Sequence, residues 1–110
     1  MSGWTVRLAA QAAQDVEDIL DWTLGQFGPL QLENYTGVIN DALEALNAGP
    51  QLIDVRRHPG LGDDVATLHV TRQGRKGRHL LVFRVDEQTS SIEVLRILHD
   101  SMDFERHLEQ

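Results

Sequence analysis

The spacing of apolar residues changes along this chain, and that change is the strongest constraint on its fold. Residues 4–8 alternate apolar and polar side chains, which is the period of a β-strand with one face on a core. From about Ala10 the apolar residues recur every three or four positions, as they do on one face of a helix. Short, nearly continuous apolar runs begin near Val65. This order predicts an α+β fold in which a strand is followed by helices and then by further strands.

Two amphipathic helices are predicted between residues 10 and 46. Gly28-Pro29 separates them, since proline suits the first turn of a helix, and the short join predicts an antiparallel hairpin. Gly49-Pro50 is typical of the end of the second helix. The acids of the first helix are predicted to lie away from its apolar stripe: Asp15, Glu17, Asp18 and Asp21. The apolar stripes consist of Ala12, Val16, Ile19, Leu20, Thr23 and Phe27, and then of Leu32, Tyr35, Ile39, Ala42, Leu43 and Leu46.

The second half of the chain is predicted to form an antiparallel meander. Residues 51–64 show no period and are interpreted as a loop. Strands are predicted at residues 65–70, 79–85 and 92–98, joined by short turns. A short terminal helix is expected after His99, with Asp100 or Ser101 as its cap. The complete prediction is a β-α-α-β-β-β domain over residues 1–110, with the helical hairpin covering one face of a small, mostly antiparallel sheet.

Composition and charge exclude several classes of function. The chain of 110 residues contains no cysteine, which excludes disulfides, thiolate catalysis and cysteine-based zinc sites. It contains neither a membrane-spanning run nor a recognisable signal peptide, so a cytoplasmic protein without membrane contact is expected. The net charge of −7 argues against direct binding of DNA. Residues 1–54 hold one basic and eight acidic residues, whereas residues 55–110 hold nine of each, so the first half carries the whole excess.

Several segments, in order and spacing, resemble one family of bacterial proteins. Those segments are Leu8–Ile19, Gln26-Phe27-Gly28, Leu46–Pro50, Gly77–Val85 and Ile92–Asp103, the last containing Val94-Leu95-Arg96-Ile97-Leu98-His99. Together they are similar to the ParE branch of the ParE/RelE superfamily of toxin–antitoxin toxins, over nearly the whole chain. The loop at residues 51–58 and the negative net charge differ from the family's usual pattern.

The resemblance implies a toxin that is held inactive in a hetero-oligomer with a cognate antitoxin. The antitoxin's C-terminal segment would wrap the outer surfaces of the two helices and the strand near Arg78–Val85. Freed toxin would bind DNA gyrase, stabilise a cleaved DNA state and arrest growth, with no cofactor and no catalytic residue of its own. Toxins of this kind stabilise plasmids or chromosomes. The contact candidates for target or antitoxin are Trp22, Arg78, Arg84, Arg96, Asp103 and Arg106, together with the terminal segment 100–110.

Two other functions stay open. RelE-type relatives cleave messenger RNA on the ribosome, and Arg78, Arg96 and His99 are the candidates for such chemistry. A nuclease would need Arg78, Arg84, Arg96, His99 and Arg106 to converge on one side of the sheet. A toxin-like protein that has lost toxicity and only binds its antitoxin is the third hypothesis.

Each candidate side chain also has a purely structural interpretation. Arg84 and Arg96 are predicted to pair with acids such as Glu93 or Asp103. His99 is predicted to hydrogen-bond the turn that follows it. Tyr35 and Trp4 are expected to pack against the core, whereas Trp22 suits either packing or a partner surface. The five histidines lack the helical pairing of zinc hydrolases, so no metal site is predicted.

Overall fold

Two helices and five strands make up the described part of the computed structural model, which covers residues 3–51, 55–62, 64–71 and 76–101. The helices are α1 (Ala10–Phe27) and α2 (Pro29–Ala45), the latter followed by a 3₁₀ turn at Leu46–Ala48. The strands are β1 (Thr5–Leu8), β2 (Arg56–Arg57), β3 (Val65–His69), β4 (His79–Asp86) and β5 (Ser91–His99). The predicted α+β order is therefore confirmed. Neither helix has the length and apolar character needed to cross a membrane.

The strands lie in the order β1-β5-β4-β3-β2. Strands β3, β4 and β5 form the predicted antiparallel meander, and β2 adds to it antiparallel to β3. Strand β1 runs parallel to β5, with Thr5 opposite Ser91 and Leu8 opposite Val94. Strand β5 therefore lies between β1 and β4 and joins the first strand to the rest of the sheet.

The join between the helices follows from two adjacent residues. Gly28 has a φ of 90°, a backbone conformation that residues other than glycine rarely adopt. Its N–H donates to the Leu24 carbonyl oxygen 3.0 Å away. Pro29 then occupies the first turn of α2, where its missing N–H costs no hydrogen bond. The chain therefore reverses within one residue, and α1 packs against α2 as the sequence predicts.

The main core lies between this hairpin and one face of the sheet. The helices contribute small and branched side chains, and alternate residues of β4 and β5 meet them. Trp4 packs against the same cluster, as expected. The fully buried members include Ala12, Val38, Ile39, Ala42, Leu46, Leu68, Leu81, Phe83, Ile92 and Val94. The opposite face carries a smaller cluster of Val65, Val82 and Leu98, against which Leu61 packs.

Two secondary-structure predictions concern residues 51–64 and the segment after His99. Residues 51–64 are not entirely loop, because Arg56–Arg57 pair with β3 and Pro59–Leu61 form a 3₁₀ turn. A strand of two charged residues has no detectable period, so only its pairing with β3 reveals it. Asp100 and Ser101 form a turn after β5, and the rest of the predicted terminal helix, with Asp103 and Arg106, lies outside the described residues.

Candidate functional site

Three histidines meet at one end of the sheet because three successive strands begin or end there. His79 is the first residue of β4 and lies directly opposite His99, the last residue of β5. Their rings are in an edge-to-face arrangement, with centroids 5.3 Å apart. His69 ends β3, and Asp100 follows β5. The antiparallel register thus brings ionisable groups from distant parts of the sequence into one cluster.

Tyr35 of α2 joins this cluster through hydrogen bonds. Its hydroxyl accepts the backbone N–H of Arg78 at 3.0 Å and lies 2.6 Å from Nδ1 of His79. Burial raises the pKa of Tyr35, so its hydroxyl stays protonated at neutral pH and can donate a hydrogen bond to His79 Nδ1. Burial, with a smaller contribution from the neighbouring His99, lowers the pKa of His79 to about 4. At neutral pH His79 is therefore uncharged.

His69 and His99 are oriented by the backbone that follows each of them. Nδ1 of His69 accepts the N–H of Thr71, and Nδ1 of His99 accepts the N–H of Ser101, both at 3.1 Å. Nδ1 of His99 also lies 2.7 Å from the Ser101 hydroxyl, so the predicted bonding of His99 to the turn is confirmed. In their neutral forms both rings therefore carry the proton on Nε2. A histidine that binds a metal through one ring nitrogen usually donates a hydrogen bond from the other. In His69 and His99 one ring nitrogen, Nδ1, instead accepts a backbone N–H.

Asp100 holds the edge of the cluster together. Its carboxylate accepts Nε2–H of His69 at 3.0 Å and two bonds from the Arg78 guanidinium at 3.2 Å. These bonds, that from His69 first, lower the pKa of Asp100. The backbone N–H of Asp100 also donates to the Arg78 carbonyl at 2.7 Å. Arg78 is consequently tied to Asp100, although 70% of its side chain is exposed.

Arg96 is bound on the opposite side of β5, to Asp15 of α1. Its Nε and Nη2 donate to the Asp15 carboxylate at 2.9 and 3.2 Å, and the N–H of Ile97 donates to the same carboxylate at 2.9 Å. Strand β1 pairs with β5 as far as Val94, and beyond it this edge of β5 has no strand beside it among the described residues. Asp15 therefore satisfies a backbone donor that β1 does not reach.

This contact corrects the sequence prediction for Asp15. The residue is buried and not on the solvent-facing side of α1, because the free edge of β5 and the Arg96 guanidinium compensate its charge. Arg96 pairs with an acid as predicted, but the acid is Asp15 and not Glu93. Arg84 likewise forms an ion pair, at 3.2 Å with Asp64.

A nuclease would need the arginines to converge on one side of the sheet, and the described ones do not. Arg78 and His99 line the same groove, whereas Arg84 and Arg96 do not belong to its described lining. The physical reason is that Asp15 draws the Arg96 guanidinium towards α1, and Arg84 alternates with the helix-facing Phe83 and lies on the other face. Arg106 lies outside the described residues.

The groove itself lies between α1, α2 and the start of β4. It has a volume of about 590 Å³. Its lining consists of Asp18, Ile19, Trp22, Thr23 and Phe27 of α1, Gln31, Asn34 and Tyr35 of α2, and Lys76, Gly77, Arg78, His79 and His99. Trp22 is 59% exposed and Phe27 60% exposed, and their rings form an edge-to-face pair at 5.6 Å. Large aromatic side chains left in water beside a groove are typical of a surface that a partner covers. Trp22 is thus on the surface and not in the core.

Sequence reasoning did not identify the cluster as a unit. His69 and His79 were considered only among the five histidines, Asp100 only as a helix cap and as part of the terminal contact segment, and Tyr35 was expected only to pack. One local signal was available, because His69 precedes Thr71 by the same interval as His99 precedes Ser101. The contact of Tyr35 with His79 has no such signal, since it depends on where α2 crosses the sheet.

Comparisons with known proteins agree with this architecture. Residues 6–104 match the family described as the ParE toxin of the type II toxin–antitoxin system parDE. Toxin ParE1 of Caulobacter vibrioides is 27% identical over 103 residues, which cover 93% of this chain and 95% of that protein. A solved chain of the chromosomal ParDE toxin–antitoxin system from P. aeruginosa has a TM-score of 0.67 and 23% identity, over 87% of this chain and 95% of that one. A chain of the toxin–antitoxin complex RelBE2 from Mycobacterium tuberculosis has a TM-score of 0.57 and 21% identity, over 90% of this chain and 93% of that one. The last two likenesses concern the fold.

Proposed function

This chain belongs to the ParE toxin family of type II toxin–antitoxin systems, and from that premise we propose that it acts by binding DNA gyrase and not by chemistry of its own. In this proposal the free protein stabilises a gyrase–DNA complex in which the DNA is cut, and it works in the cytoplasm, where gyrase acts. The family match over residues 6–104 supports the toxin assignment.

The observation that carries the non-enzymatic mode is the position of Arg96. A ribonuclease needs an acid, a base and cations around one scissile phosphate. Arg96 is instead bound by the buried Asp15, and the Arg78 guanidinium donates two hydrogen bonds to Asp100. His79, with a pKa of about 4, is uncharged at neutral pH. Of the candidate catalytic set, Arg78 and His99 line the groove and Arg96 does not, so the three side chains are not brought together.

We further propose that a cognate antitoxin covers the groove between α1, α2 and β4. The exposed Trp22 and Phe27 supply the apolar area that such a partner needs. The same-fold chains from P. aeruginosa and M. tuberculosis come from toxin–antitoxin assemblies, which supports a partner of this kind.

The test is expression of the chain from a tightly controlled promoter in bacteria that lack the antitoxin. Growth, DNA breaks and messenger RNA integrity are followed together, and the purified protein is added to gyrase in a supercoiling assay. We expect growth arrest with broken DNA and intact messenger RNA, and accumulation of gyrase-linked DNA breaks in vitro. His99→Ala is the control, since it removes the remaining acid–base candidate and should leave toxicity unchanged.

Other outcomes overturn the proposal in distinct ways. Growth arrest with intact DNA and cleaved messenger RNA, abolished by His99→Ala, would establish the ribonuclease. Normal growth at a high level of folded protein would instead identify a binding protein without toxicity.

A further inference from the structure

The groove between α1, α2 and β4 has walls of opposite charge. Asp18 of α1 stands on one side, and Lys76 and Arg78, which precede β4, stand on the other. A groove with this distribution accepts a charged partner segment in one direction and opposes the reversed one.

The acidic wall is reinforced by its neighbours on α1. Glu17, Asp18 and Asp21 are all exposed, and the first 54 residues contain eight acids against one base. Asp18 accepts a hydrogen bond from the exposed Gln14 at 2.9 Å, which leaves its charge uncompensated. The potential on this side of the groove is therefore negative.

The opposite wall presents donors. Lys76 and Arg78 are exposed cations, and Asp100 neutralises only the second of them in part, since 70% of the Arg78 side chain remains in water. Nδ1 of His99 accepts the Ser101 N–H, so the other nitrogen of that ring carries a proton and is an N–H donor. This wall suits a carboxylate.

The α1 wall also carries apolar surface. Ile19 is half-buried in the groove lining, and Trp22 and Phe27 line the groove with most of their area exposed. An aliphatic or aromatic side chain of a partner would remove these rings from water, and such anchors carry most of the binding energy of an interface.

We propose that the groove binds an antitoxin segment with three matched features: an apolar anchor against Trp22 and Phe27, a lysine or arginine facing Asp18, and an aspartate or glutamate facing Lys76 and Arg78. The inference rests on the proposed function in taking the antitoxin as the partner. It adds the sign of each charge and hence the direction in which the segment lies. The antitoxin segment is therefore basic where it faces α1, whereas a basic toxin would select an acidic segment there.

The test measures binding of the purified cognate antitoxin to the folded toxin by isothermal titration calorimetry at low and high salt. Asp18→Lys and Lys76→Glu should each weaken binding about tenfold at low salt, with a smaller effect at high salt, because they place like charges together at a rim. Glu44→Lys is the matched control, since this exposed acid lies at the other end of α2, beside β1. Replacing the antitoxin's facing basic residue by glutamate should restore binding to the Asp18→Lys toxin and to that variant alone.

The outcomes separate this inference from the proposed function. If wild-type toxin binds and both groove variants bind as Glu44→Lys does, the charge assignment is overturned while the antitoxin partnership stands. If Asp18→Lys strengthens binding, the acidic wall faces an acid and the proposed direction is reversed. If wild-type toxin does not bind the antitoxin, both proposals fall. Loss of gyrase poisoning without loss of antitoxin binding would affect the proposed function alone.

Discussion

Replacing Asp15 by alanine should cause a large loss of stability for a small change in volume. The substitution removes the acceptor of the Ile97 N–H and both hydrogen bonds to the Arg96 guanidinium. A buried donor left without a partner costs about 1–3 kcal/mol. Breaking a buried ion pair costs about 3–5 kcal/mol, but Arg96 is 24% exposed and can turn its charge towards water, so the lower end applies. We therefore expect a total of about 4 kcal/mol, or a fall in Tm of about 16 °C for a chain of this size.

The measurement is urea unfolding at pH 7, followed by the fluorescence of Trp4 and Trp22. Glu17→Ala is the control, since Glu17 is an exposed acid on the same helix, and its loss should change the free energy of unfolding by less than about 0.5 kcal/mol. Combining Asp15→Ala with Arg96→Ala should cost less than the sum of the two single substitutions. Each single substitution leaves one charge without its partner, whereas the double variant leaves none.

The reasoning fails if Asp15→Ala and Glu17→Ala have the same effect. It also fails if the double variant shows simple additivity, because the carboxylate and the guanidinium would then not depend on each other.

Three further predictions concern the histidine cluster and the glycines. The pKa of His79 in the folded protein, about 4, lies below its ordinary value of 6.5, so the unfolded chain takes up the proton first and stability falls as the pH drops from 6.5 to 4. His79→Gln should remove about 1–2 kcal/mol of that fall after allowance for solvent screening, and an unchanged pH profile of Tm would contradict the burial of His79. Tyr35→Phe removes the hydrogen-bond partner of His79 Nδ1 and the acceptor of Arg78 N–H, so it should cost about 1 kcal/mol in urea unfolding and move the NMR-detected pKa of His79. Gly25→Ala, on an open helix surface, should stabilise by about 0.5–1 kcal/mol. Gly49→Ala should destabilise by about 2 kcal/mol or more, because Gly49 has a φ of 102° and a Cβ there would lie 2.6 Å from the Trp4 indole. Equal effects of the two glycine substitutions would refute this account.

Local patterns were sufficient to predict most of the fold. The stripe from Ala12 to Phe27 specifies α1, Gly28-Pro29 specifies the break, and the apolar runs after Val65 specify the meander. These features depend on neighbours within a few residues, which is the range over which periodicity and turn chemistry act. The strand at Arg56–Arg57 has no such signal, since it exists through its pairing with Thr67 and Ala66.

The candidate site was predictable only in part, because its contacts are long-range. An acid on a helix is solvated by default, and nothing near Asp15 in the sequence indicates that Arg96 and Ile97 will enclose it. The cluster of Tyr35, His79 and Asp100 likewise joins residues from a helix, a strand and a turn. Trp22 was undecided from the sequence because its position at the margin of the apolar stripe suits both packing and exposure, and the packing of α1 against the sheet leaves it in water.

The position of β5 between β1 and β4 has a consequence for synthesis on the ribosome. Strand β5 separates β1 from β4, and it also carries the backbone donor and the guanidinium that Asp15 needs. Until residues 91–99 have left the ribosome, the nascent chain therefore lacks the strand that joins β1 to β4. The two helices are synthesised earlier, but the face of the sheet against which they pack is not yet complete. We expect the chain to become a compact protein in one late, concerted event and to have no partly folded form with its groove in place.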